Sequence, residues 1–395
     1  MLGVLPRSRL ELTGCLSVTG AARRPRGGAG RGVTRSVLGA SLGQDPLSLM
    51  PTLRANVPEV VLRVAHVVVT TNFAGTERYV CDVARLSAAY GHDVVVVGGD
   101  RSRMPVELGS SVPWHPAGDL GAAVLALRRL PRPDVVHAHL TSADTAAALI
   151  TCLRGSLFVS TRHIAARRGS SAAGRLIAPV LRRRVDRQIA ISDFVAAAVD
   201  GTSTVLRNGV PVQEARAALA GRTVLVCQRL EREKETAVAL RGFAMSGLQH
   251  AGWRLLIAGR GAERGELEGL ALRLGLQHAV EFLGFVDDVR ALMLEADVLL
   301  ATAPAEPLGL TVLEAMALGL PVVAAAGGGH LETVATVPGS MLFPPSDAPA
   351  CSSALLALAG DRQAARGYGG RNQDEQRRSF DIRDHVRAVL SEYGR

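Results

Sequence analysis

The chain has 395 residues and a formal net charge of +9, and 48% of its residues are hydrophobic. This length exceeds the usual size of one domain, so we expect two α/β domains and an additional segment. The composition excludes a largely disordered protein, and the lack of an apolar run of roughly 20 residues excludes an integral membrane protein. The excess positive charge suits phosphate groups, acidic lipid surfaces or nucleic acid, and charge alone does not distinguish them.

The cysteines indicate a cellular compartment. They are widely separated, without a CxxC pair or a His cluster at metal-ligand spacing: Cys15, Cys81, Cys152, Cys227 and Cys351. This pattern contains no zinc motif and is typical of a reduced protein. We therefore expect a cytoplasmic protein without a bound metal, with peripheral contact at the inner face of the membrane as an open alternative.

Residues 1–58 differ in composition from the rest of the chain. Their arginines lie among Gly, Ser and Pro with little periodicity, and acidic residues are scarce. We predict a basic, low-complexity tail here, not a domain. Two interpretations stay open: the start of the chain is assigned too early, with Met50 as one candidate, or the segment is a transit peptide or basic contact tail.

Residues 59–211 predict a first Rossmann-like domain, on the acceptor side. From Val60 onward, β-rich runs alternate with helical patterns, which is typical of a parallel sheet with helices on both faces. The predicted strands are 61–69, 93–98, 134–139, 157–161, 187–191 and 203–206. The turn at 207–211 is rich in helix and strand breakers and predicts the interdomain linker.

One helical segment of this domain is strongly basic. Between Arg167 and Arg187, apolar residues recur at helical spacing and further arginines lie among them. Such a helix either lies against anionic lipid or packs on its own sheet with a solvated basic face. The sequence leaves both interpretations open.

A second alternation predicts another Rossmann-like domain over residues 212–375, followed by a C-terminal helix within 376–395. Its predicted strands are 223–227, 253–258, 280–285, 297–302, 321–325 and 340–343. The predicted fold class is therefore α/β, with two doubly wound domains facing across a cleft. Ligands bind beyond the carboxyl ends of the strands in such sheets, so the active site should lie in that cleft.

The stretch from Ala305 to Pro321 is the most informative. It passes from a strand-like run through a Pro/Gly loop into a short helix. The free N–H groups and positive end of that helix favour a phosphate. Glu306 stands in the loop and Glu314 about one turn into the helix, and a carboxylate can accept from two vicinal hydroxyls of a sugar or ribose. Taken alone, both glutamates would more often be solvated charges.

A basic loop follows the first strand of the second domain and should face the same cleft. It contains Arg229 and Lys234. An Arg fork and a Lys point charge together can neutralise a diphosphate without a metal. A single basic loop residue is usually only solvated, but the loop and the two glutamates together indicate a sugar nucleotide.

Several further motifs occur in order along the chain. They are Gly75-Thr76-Glu77, Val135-Val136-His137-Ala138-His139, Asn208-Gly209-Val210, Gly259-Arg260-Gly261 and Phe282-Leu283-Gly284-Phe285. Together with Glu306 and Glu314, which are separated by seven residues, they resemble the retaining GT-B glycosyltransferases of family 4 over roughly residues 62–345. The resemblance implies the GT-B fold, with the C-terminal helix packed back across the first domain.

The resemblance implies a role for each matching position on the donor side. Glu314 would contact the ribose, and Glu306 would contact the transferred sugar near its reacting face. Arg229 and Lys234 would hold the diphosphate leaving group. Further contacts to the phosphates would come from Gly75, Gly309 and Leu310.

The resemblance also places a histidine near the anomeric carbon. His139 matches that position and would support the reaction by hydrogen bonding, whereas His137 is expected on the packed side of the strand. Arg162 and His163 end a predicted strand, and this location alone suggests the acceptor side.

The implied reaction moves a sugar from a nucleotide sugar to a hydroxyl acceptor with retained anomeric configuration. UDP is the expected nucleotide and GDP the next candidate; a glycan, a lipid-linked or a small-molecule acceptor would fit. Charge that develops on the leaving diphosphate would be stabilised by Arg229, Lys234 and the helix start. The chain has no Asp-x-Asp triplet, so we expect neither a metal nor a cofactor beyond the nucleotide-sugar co-substrate, and no nucleic-acid partner.

Two positions depart from the family pattern. Ala74 replaces the first glycine of a usual pair, and Gln228 stands where glycine is common.

A GT-B sugar-nucleotide epimerase or a phosphorylase is the alternative function, and a non-catalytic binder of nucleotide sugar or nucleic acid is less expected. A dinucleotide-dependent oxidoreductase is disfavoured because no GxGxxG follows the first strand.

Overall fold

The computed structural model describes residues 60–169 and 172–394. The predicted tail at 1–58 lies outside these residues. Within them, two parallel sheets are covered by helices, so the predicted α/β class with two Rossmann-like domains is confirmed. The exact domain boundaries stay a prediction. No helix in this part of the chain is both long and apolar enough to cross a bilayer.

The first domain has seven strands: β1 (Arg63–Val68), β2 (Asp93–Gly98), β3 (Trp114–His115), β4 (Val135–His139), β5 (Leu157–Arg162), β6 (Arg187–Ala190) and β7 (Thr204–Val205). Its helices are α1 (Gly75–Ala89), α2 (Met104–Leu108), α3 (Leu120–Arg129), α4 (Thr141–Arg154), α5 (Ala172–Arg184) and α6 (Asp193–Ala198). The strand order is β3-β2-β1-β4-β5-β6-β7. Each predicted strand is present to within two residues. The edge strand β3 was not predicted, because two residues carry no alternation.

The second domain has strands β8 (Thr223–Cys227), β9 (Arg254–Ala258), β10 (Val280–Gly284), β11 (Val298–Ala301), β12 (Val322–Ala325) and β13 (Met341–Phe343), in the order β10-β9-β8-β11-β12-β13. Its helices are α7 (Thr236–Ser246), α8 (Arg264–Arg273), α9 (Val289–Glu295), α10 (Leu310–Ala317), α11 (Ala348–Gly360) and α12 (Arg362–Ser379). Short 3₁₀ turns occur at Arg232–Lys234, Leu248–Ala251, Gly328–Leu331 and Val334–Thr336. The six strands match the predicted ones to within one residue.

Aspartates at the start of strands help to set the register of both sheets. Asp134, Asp186 and Asp297 immediately precede β4, β6 and β11. Each carboxylate accepts a backbone N–H near the start of a neighbouring strand, at 2.7 Å from Arg63, 2.8 Å from Phe158 and 2.8 Å from Thr223. These bonds satisfy donors that the parallel ladder leaves free at its end.

The final helix, α13 (Ile382–Tyr393), lies against the first domain. Its His385 and the α1 residue Tyr79 are hydrogen-bonded at 2.9 Å. Its Tyr393 and the β4 residue His137 are hydrogen-bonded at 2.7 Å. The helix thus covers the face of the first sheet that carries the histidines of β4.

The strand order reverses between β1 and β4 in the first sheet and between β8 and β11 in the second. Loops on either side of such a reversal diverge and leave a crevice at the carboxyl ends of the strands. The two sheets belong to one compact unit. The loops after β1, β4, β8 and β11 meet in it and form a cleft.

Candidate active site in the interdomain cleft

The cleft has a volume of about 730 Å³ and is lined by both domains. Among the residues predicted for the site, the structure brings together on its walls Gly75, His163, Arg229, Lys234, Glu306, Gly309 and Leu310. Of the remaining predicted residues, Glu314 lies outside this lining, and so do His139 and Arg162.

Lys234 and Glu306 form the polar centre of the second-domain wall. The Lys234 Nζ donates to the Glu306 Oε2 at 2.6 Å, although the two residues are 72 positions apart in the chain. Their side chains retain exposed fractions of only 15% and 20%. A cation and a carboxylate are therefore held side by side at the cleft wall, where an anionic ligand and its hydroxyl groups can both be bound.

Gln228 holds the backbone of this loop. Its Nε2 donates to the Lys234 carbonyl oxygen at 3.0 Å and lies 3.0 Å from the Thr302 Oγ1. The Thr302 hydroxyl donates to the same carbonyl at 2.7 Å. The departure from glycine at this position thus adds a link between the loop after β8 and the end of β11, which positions Lys234.

Arg229 is the most exposed of the charged residues predicted for the donor side. Its side chain is 62% exposed, and its Nη2 donates to the Glu233 Oε1 at 2.7 Å. Such an exposed i,i+4 pair contributes at most a few tenths of a kcal/mol, about 0.3–0.5. Arg229 can therefore leave Glu233 for a phosphate at little cost.

The start of α10 supplies backbone donors to the same wall. Gly309 precedes the helix with φ +97°, a conformation that favours glycine. The first N–H groups of an α-helix have no partner within the helix, so those of Gly309 and Leu310 are available to a phosphate. Gly75 of the first domain approaches closely, because a Cβ there would lie 3.3 Å from the Leu310 Cδ1.

Glu314 lies deeper, on α10 and towards α1. It is half-buried, and burial raises the pKa of its carboxyl to about 7. The α1 residue Arg78 acts in the opposite direction, and Asp82 adds to the rise. Because the charge of Glu314 is poised near neutral pH, hydrogen bonds from a ligand would favour its ionised form.

His139 lies one layer beneath the cleft surface. Its side chain is fully buried, and its Nδ1 is hydrogen-bonded to the His163 Nε2 at 3.1 Å. His163 covers it because it follows the last residue of β5, beyond the edge of the sheet, and it lines the cleft. The expected contrast between His137 and His139 is also absent, since both are completely buried on the same face.

Arg162 belongs to a buried ionic network instead of the acceptor side. Its Nη1 donates to the Asp144 Oδ2 at 3.3 Å and its Nη2 to the Ala166 carbonyl at 2.8 Å. Arg168 donates to the same Asp144 oxygen at 2.7 Å and to Asp200 at 2.9 Å. The expectation from location was wrong for Arg162, because a carboxylate on α4 draws its side chain away from the cleft.

Two of the polar cleft residues that were not predicted as site residues are His330 and Asn208. Three glycines that precede His330 allow close contact with the loop that carries Glu306; a Cβ at Gly328 would lie 2.3 Å from the Glu306 carbonyl oxygen. His330 donates its Nδ1–H to the Ala325 carbonyl at 2.9 Å, which leaves Nε2 as an acceptor. The glycine run was the signal that could have revealed this approach.

Asn208 of the linker also lines the cleft. It is 1% exposed, and neither its Oδ1 nor its Nδ2 has a hydrogen-bond partner within residues 60–169 and 172–394. An unpaired buried amide costs about 1–3 kcal/mol. A polar ligand in the cleft would remove that cost.

Two hydrogen bonds join the domains directly. The Arg103 Nη1 donates to the Asp287 Oδ1 at 2.5 Å, and the guanidinium lies 4.8 Å from the centre of the Phe73 ring. The Ser192 hydroxyl donates to the carbonyl of the cleft residue Pro307 at 2.6 Å. The walls are therefore close enough for one ligand to contact both domains.

One group of buried histidines has ring nitrogens in mutual reach. His66, His137 and His139 offer nitrogens within 4.8 Å of one another, the one such three-residue group found in the described part of the chain. The nitrogens of His137 are hydrogen-bonded to the Tyr393 and Thr161 hydroxyls at 2.7 and 2.6 Å. Those of His139 are also paired, and the His66 Nε2 has no partner among the described residues.

Family models match two adjacent segments of the chain. The model described as Glycosyltransferase Family 4 matches residues 73–214, and Glycosyl transferases group 1 matches residues 213–373. Together they span both domains. The boundary between the two matches falls in the linker that precedes β8.

Individual proteins show the same relationship. The chain is 33% identical over 156 residues to exopolysaccharide phosphotransferase SCO2592 of Streptomyces coelicolor, a match that covers 39% of this chain and only 17% of that relative. It is 28% identical to glycogen synthase of Mycobacterium tuberculosis, over 74% of this chain and 84% of that protein. The structure of Anabaena Alr3699/HepE in complex with UDP and glucose is similar with a TM-score of 0.73 and 20% identity, covering 84% of this chain and 99% of that one. The family models, supported by this likeness of fold, show that the chain belongs to the group 1 glycosyltransferases and has the GT-B fold.

Proposed function

We propose that this protein transfers a sugar from a UDP-sugar to a hydroxyl acceptor, with retained anomeric configuration and without a metal ion. The observation that carries the proposal is the convergence of Lys234, Glu306 and the start of α10 in one cleft. A cation, a carboxylate and free backbone N–H groups are the set that a sugar diphosphate needs.

The diphosphate is held by positive groups of the second domain. Lys234 and the N–H groups of Gly309 and Leu310 bind it, and Arg229 swings from Glu233 to join them. HepE, which shares the fold, was crystallised with UDP and with UDP-glucose, which supports UDP as the nucleotide. Glu314 accepts from the ribose hydroxyls, as the resemblance implies.

Breaking the sugar–phosphate bond places negative charge on the departing diphosphate and positive charge on the sugar ring. Groups that already point at the diphosphate stabilise that charge without reorganising, which lowers the barrier. When the diphosphate draws Lys234, the Glu306 carboxylate becomes free to accept from a sugar hydroxyl. The leaving group and the acceptor hydroxyl then occupy one face of the sugar, which gives retention.

The acceptor enters from the first-domain wall, where His163 replaces His139 as the histidine that faces the reacting sugar. The Asn208 amide, which has no partner among the described residues, and the Nε2 of His330 provide further polar contacts to sugar hydroxyls. The acceptor is a glycan, a lipid-linked or a small-molecule alcohol, and its hydroxyl proton passes to the departing phosphate oxygen.

We also propose that α5 contacts an anionic membrane. Leu176 and Val180 are 83% and 56% exposed, whereas Leu181 of the same helix is buried against the domain. Arginines 182–184 are exposed beside them. Apolar side chains with flanking positive charge favour anionic lipid. Sedimentation with anionic vesicles should be lost in the double variant Leu176→Ser/Val180→Ser and retained in Arg167→Gln, which changes a neighbouring exposed residue. Equal binding by the wild type and both variants would contradict the contact.

The first experiment is a donor screen in the presence of a chelator. The purified protein is incubated with UDP- and GDP-sugars, and release of nucleoside diphosphate is followed beside Lys234→Ala and Glu306→Ala. Release that requires both residues supports the transferase and names the donor. Release of UDP only with inorganic phosphate as acceptor would favour a phosphorylase, C2 inversion of the sugar an epimerase, and no binding of any nucleotide sugar would refute the proposal.

A further inference from the structure

Three histidines, His66, His139 and His163, form a row from the interior of the first domain to the cleft. His66 lies on β1 directly opposite His137 of β4, and His139 shares their face two residues further along. The His66 Nδ1 is 3.1 Å from the His139 Nε2, and the His139 Nδ1 is 3.1 Å from the His163 Nε2. His66 and His139 are fully buried, and His163 ends the row at the cleft wall.

The three rings are neutral at physiological pH. Burial lowers the pKa of both His66 and His163 to about 3 and holds that of His139 well below its usual value. A neutral imidazole has one N–H donor and one bare nitrogen acceptor. His139 is bonded at both nitrogens, so it must donate at one and accept at the other. The two hydrogen bonds of the row therefore run in the same direction.

The buried end of the row selects that direction. The His66 Nε2 has no partner in the described residues and no contact with solvent. If the bonds ran from the cleft inwards, this nitrogen would carry a buried, unpaired N–H, a rare and unfavourable state. If they run outwards, the proton of His66 is on Nδ1 and the buried Nε2 is bare.

We infer that His66 and His139 are positioning residues that form a one-way hydrogen-bond relay and fix His163 in the tautomer with its proton on Nδ1. The Nδ1 of His163 makes no hydrogen bond within residues 60–169 and 172–394, so it presents a donor to whatever occupies the cleft. The relay rests on the proposed function for its purpose: an N–H at this wall can donate to a sugar or phosphate oxygen during transfer.

Neighbouring histidines do not share this role. Both nitrogens of His137 are taken by the Tyr393 and Thr161 hydroxyls, which can each donate or accept. His385 donates its Nδ1–H to the Arg207 carbonyl at 2.8 Å and accepts at Nε2 from the Tyr79 hydroxyl. Neither ring is linked to the row by a hydrogen bond, which makes His137 a matched control.

The direct test is two-bond ¹H–¹⁵N NMR of the free protein labelled with ¹⁵N-histidine, with the His163 signals identified by their loss in His163→Asn. We expect a protonated Nδ1 and a bare Nε2 on His163. A proton on the His163 Nε2 would overturn the relay, and so would one bound zinc per chain that perturbs the His66 and His139 signals. This measurement does not depend on activity, so the relay can fail while the transferase stands, and the reverse.

Variants at His139 connect the relay to turnover. His139→Asn keeps an N–H donor close to the Nδ1 position, whereas His139→Leu has none. We expect the Asn variant to retain kcat within about threefold and the Leu variant to lose at least about tenfold, with little change in the donor KM. His137→Leu removes an equally buried ring and should lower stability without that loss of kcat. Equal losses in the Asn and Leu variants, or an equal loss in His137→Leu, would contradict positioning through the relay.

Discussion

On the second-domain wall of the cleft the charged groups stand on loops and remain partly exposed, whereas on the first-domain wall they lie in a buried layer. Lys234 and Glu306 face the cleft with 15% and 20% of their side chains exposed. Asp144 and Arg168 are wholly buried. Groups of the first kind can exchange partners when a ligand binds. Groups of the second kind set the positions of the residues in front of them.

The largest expected effect concerns this buried layer. Arg168→Ala removes the partner of Asp144 and Asp200, and loss of one member of a buried ion pair costs about 3–5 kcal/mol. Urea unfolding should show that loss, while the exposed neighbour Arg167→Ala should change stability by less than about 0.5 kcal/mol. Similar stabilities for the two variants would mean that the network does not support the wall.

Substitution on the opposite wall should affect turnover more than stability. Lys234→Ala removes a positive group from the leaving diphosphate, and we expect kcat to fall about 10²–10³-fold. The unfolding free energy should change by only about 1 kcal/mol, because the pair with Glu306 is partly solvated. Arg232→Ala, which removes an exposed charge from the same turn, should leave kcat unchanged. A parallel loss in both variants would indicate a general charge effect.

Gly309 tests the backbone donors at the start of α10. Its φ is +97°, and a Cβ added there would lie 3.4 Å from atoms of His330 and Val312. Gly309→Ala should therefore cost about 1–3 kcal/mol of stability and weaken UDP binding. Gly247 has a similar positive φ, +66°, but lies at another helix end with open space around it. The variant Gly247→Ala should therefore lose stability, while calorimetry should show an unchanged affinity for UDP. Weaker UDP binding in both would argue against a specific phosphate site.

Glu314 predicts a pH dependence of both affinity and stability. Its pKa is about 7 in the folded protein against an ordinary 4.5. UDP affinity should therefore rise with pH through 7 as the carboxylate that binds the ribose ionises. Glu314→Gln should flatten this profile and weaken binding about tenfold at pH 8. A UDP affinity that is independent of pH in the wild type would contradict the assigned role.

The contribution of Glu314 to stability changes with pH in the opposite direction to the affinity for UDP. Between the unfolded pKa and the folded pKa, the folded state holds more protons at Glu314, so this group's contribution to the free energy of unfolding falls as pH rises from about 4.5 to 7. Glu314→Gln carries no titrating group at this position. Urea titrations across that window should therefore show a shallower fall in the variant, and identical slopes would argue against the raised pKa.

The difference between the walls also explains what the sequence could reveal. Glu306 and the basic loop belong to short segments that each follow a strand, so spacing and strand order were enough to predict that they face one cleft. How deeply a side chain is buried depends on tertiary contacts, which the sequence pattern does not show. The alternation of β4 shows that His137 and His139 share a face, but not that His163, beyond the end of β5, covers His139. The prediction for Arg162 failed for a related reason, because its partner Asp144 lies on helix α4, outside β5, and no sequence pattern links the two residues.

The most direct test of the central claim is the anomeric configuration of the first-formed product when the protein turns over its α-linked UDP-sugar in excess chelator, followed by proton NMR before mutarotation. We expect that UDP is released and that the α configuration is kept, with both signals lost in Lys234→Ala. A β product, or turnover that returns only when a divalent metal is added, would contradict it.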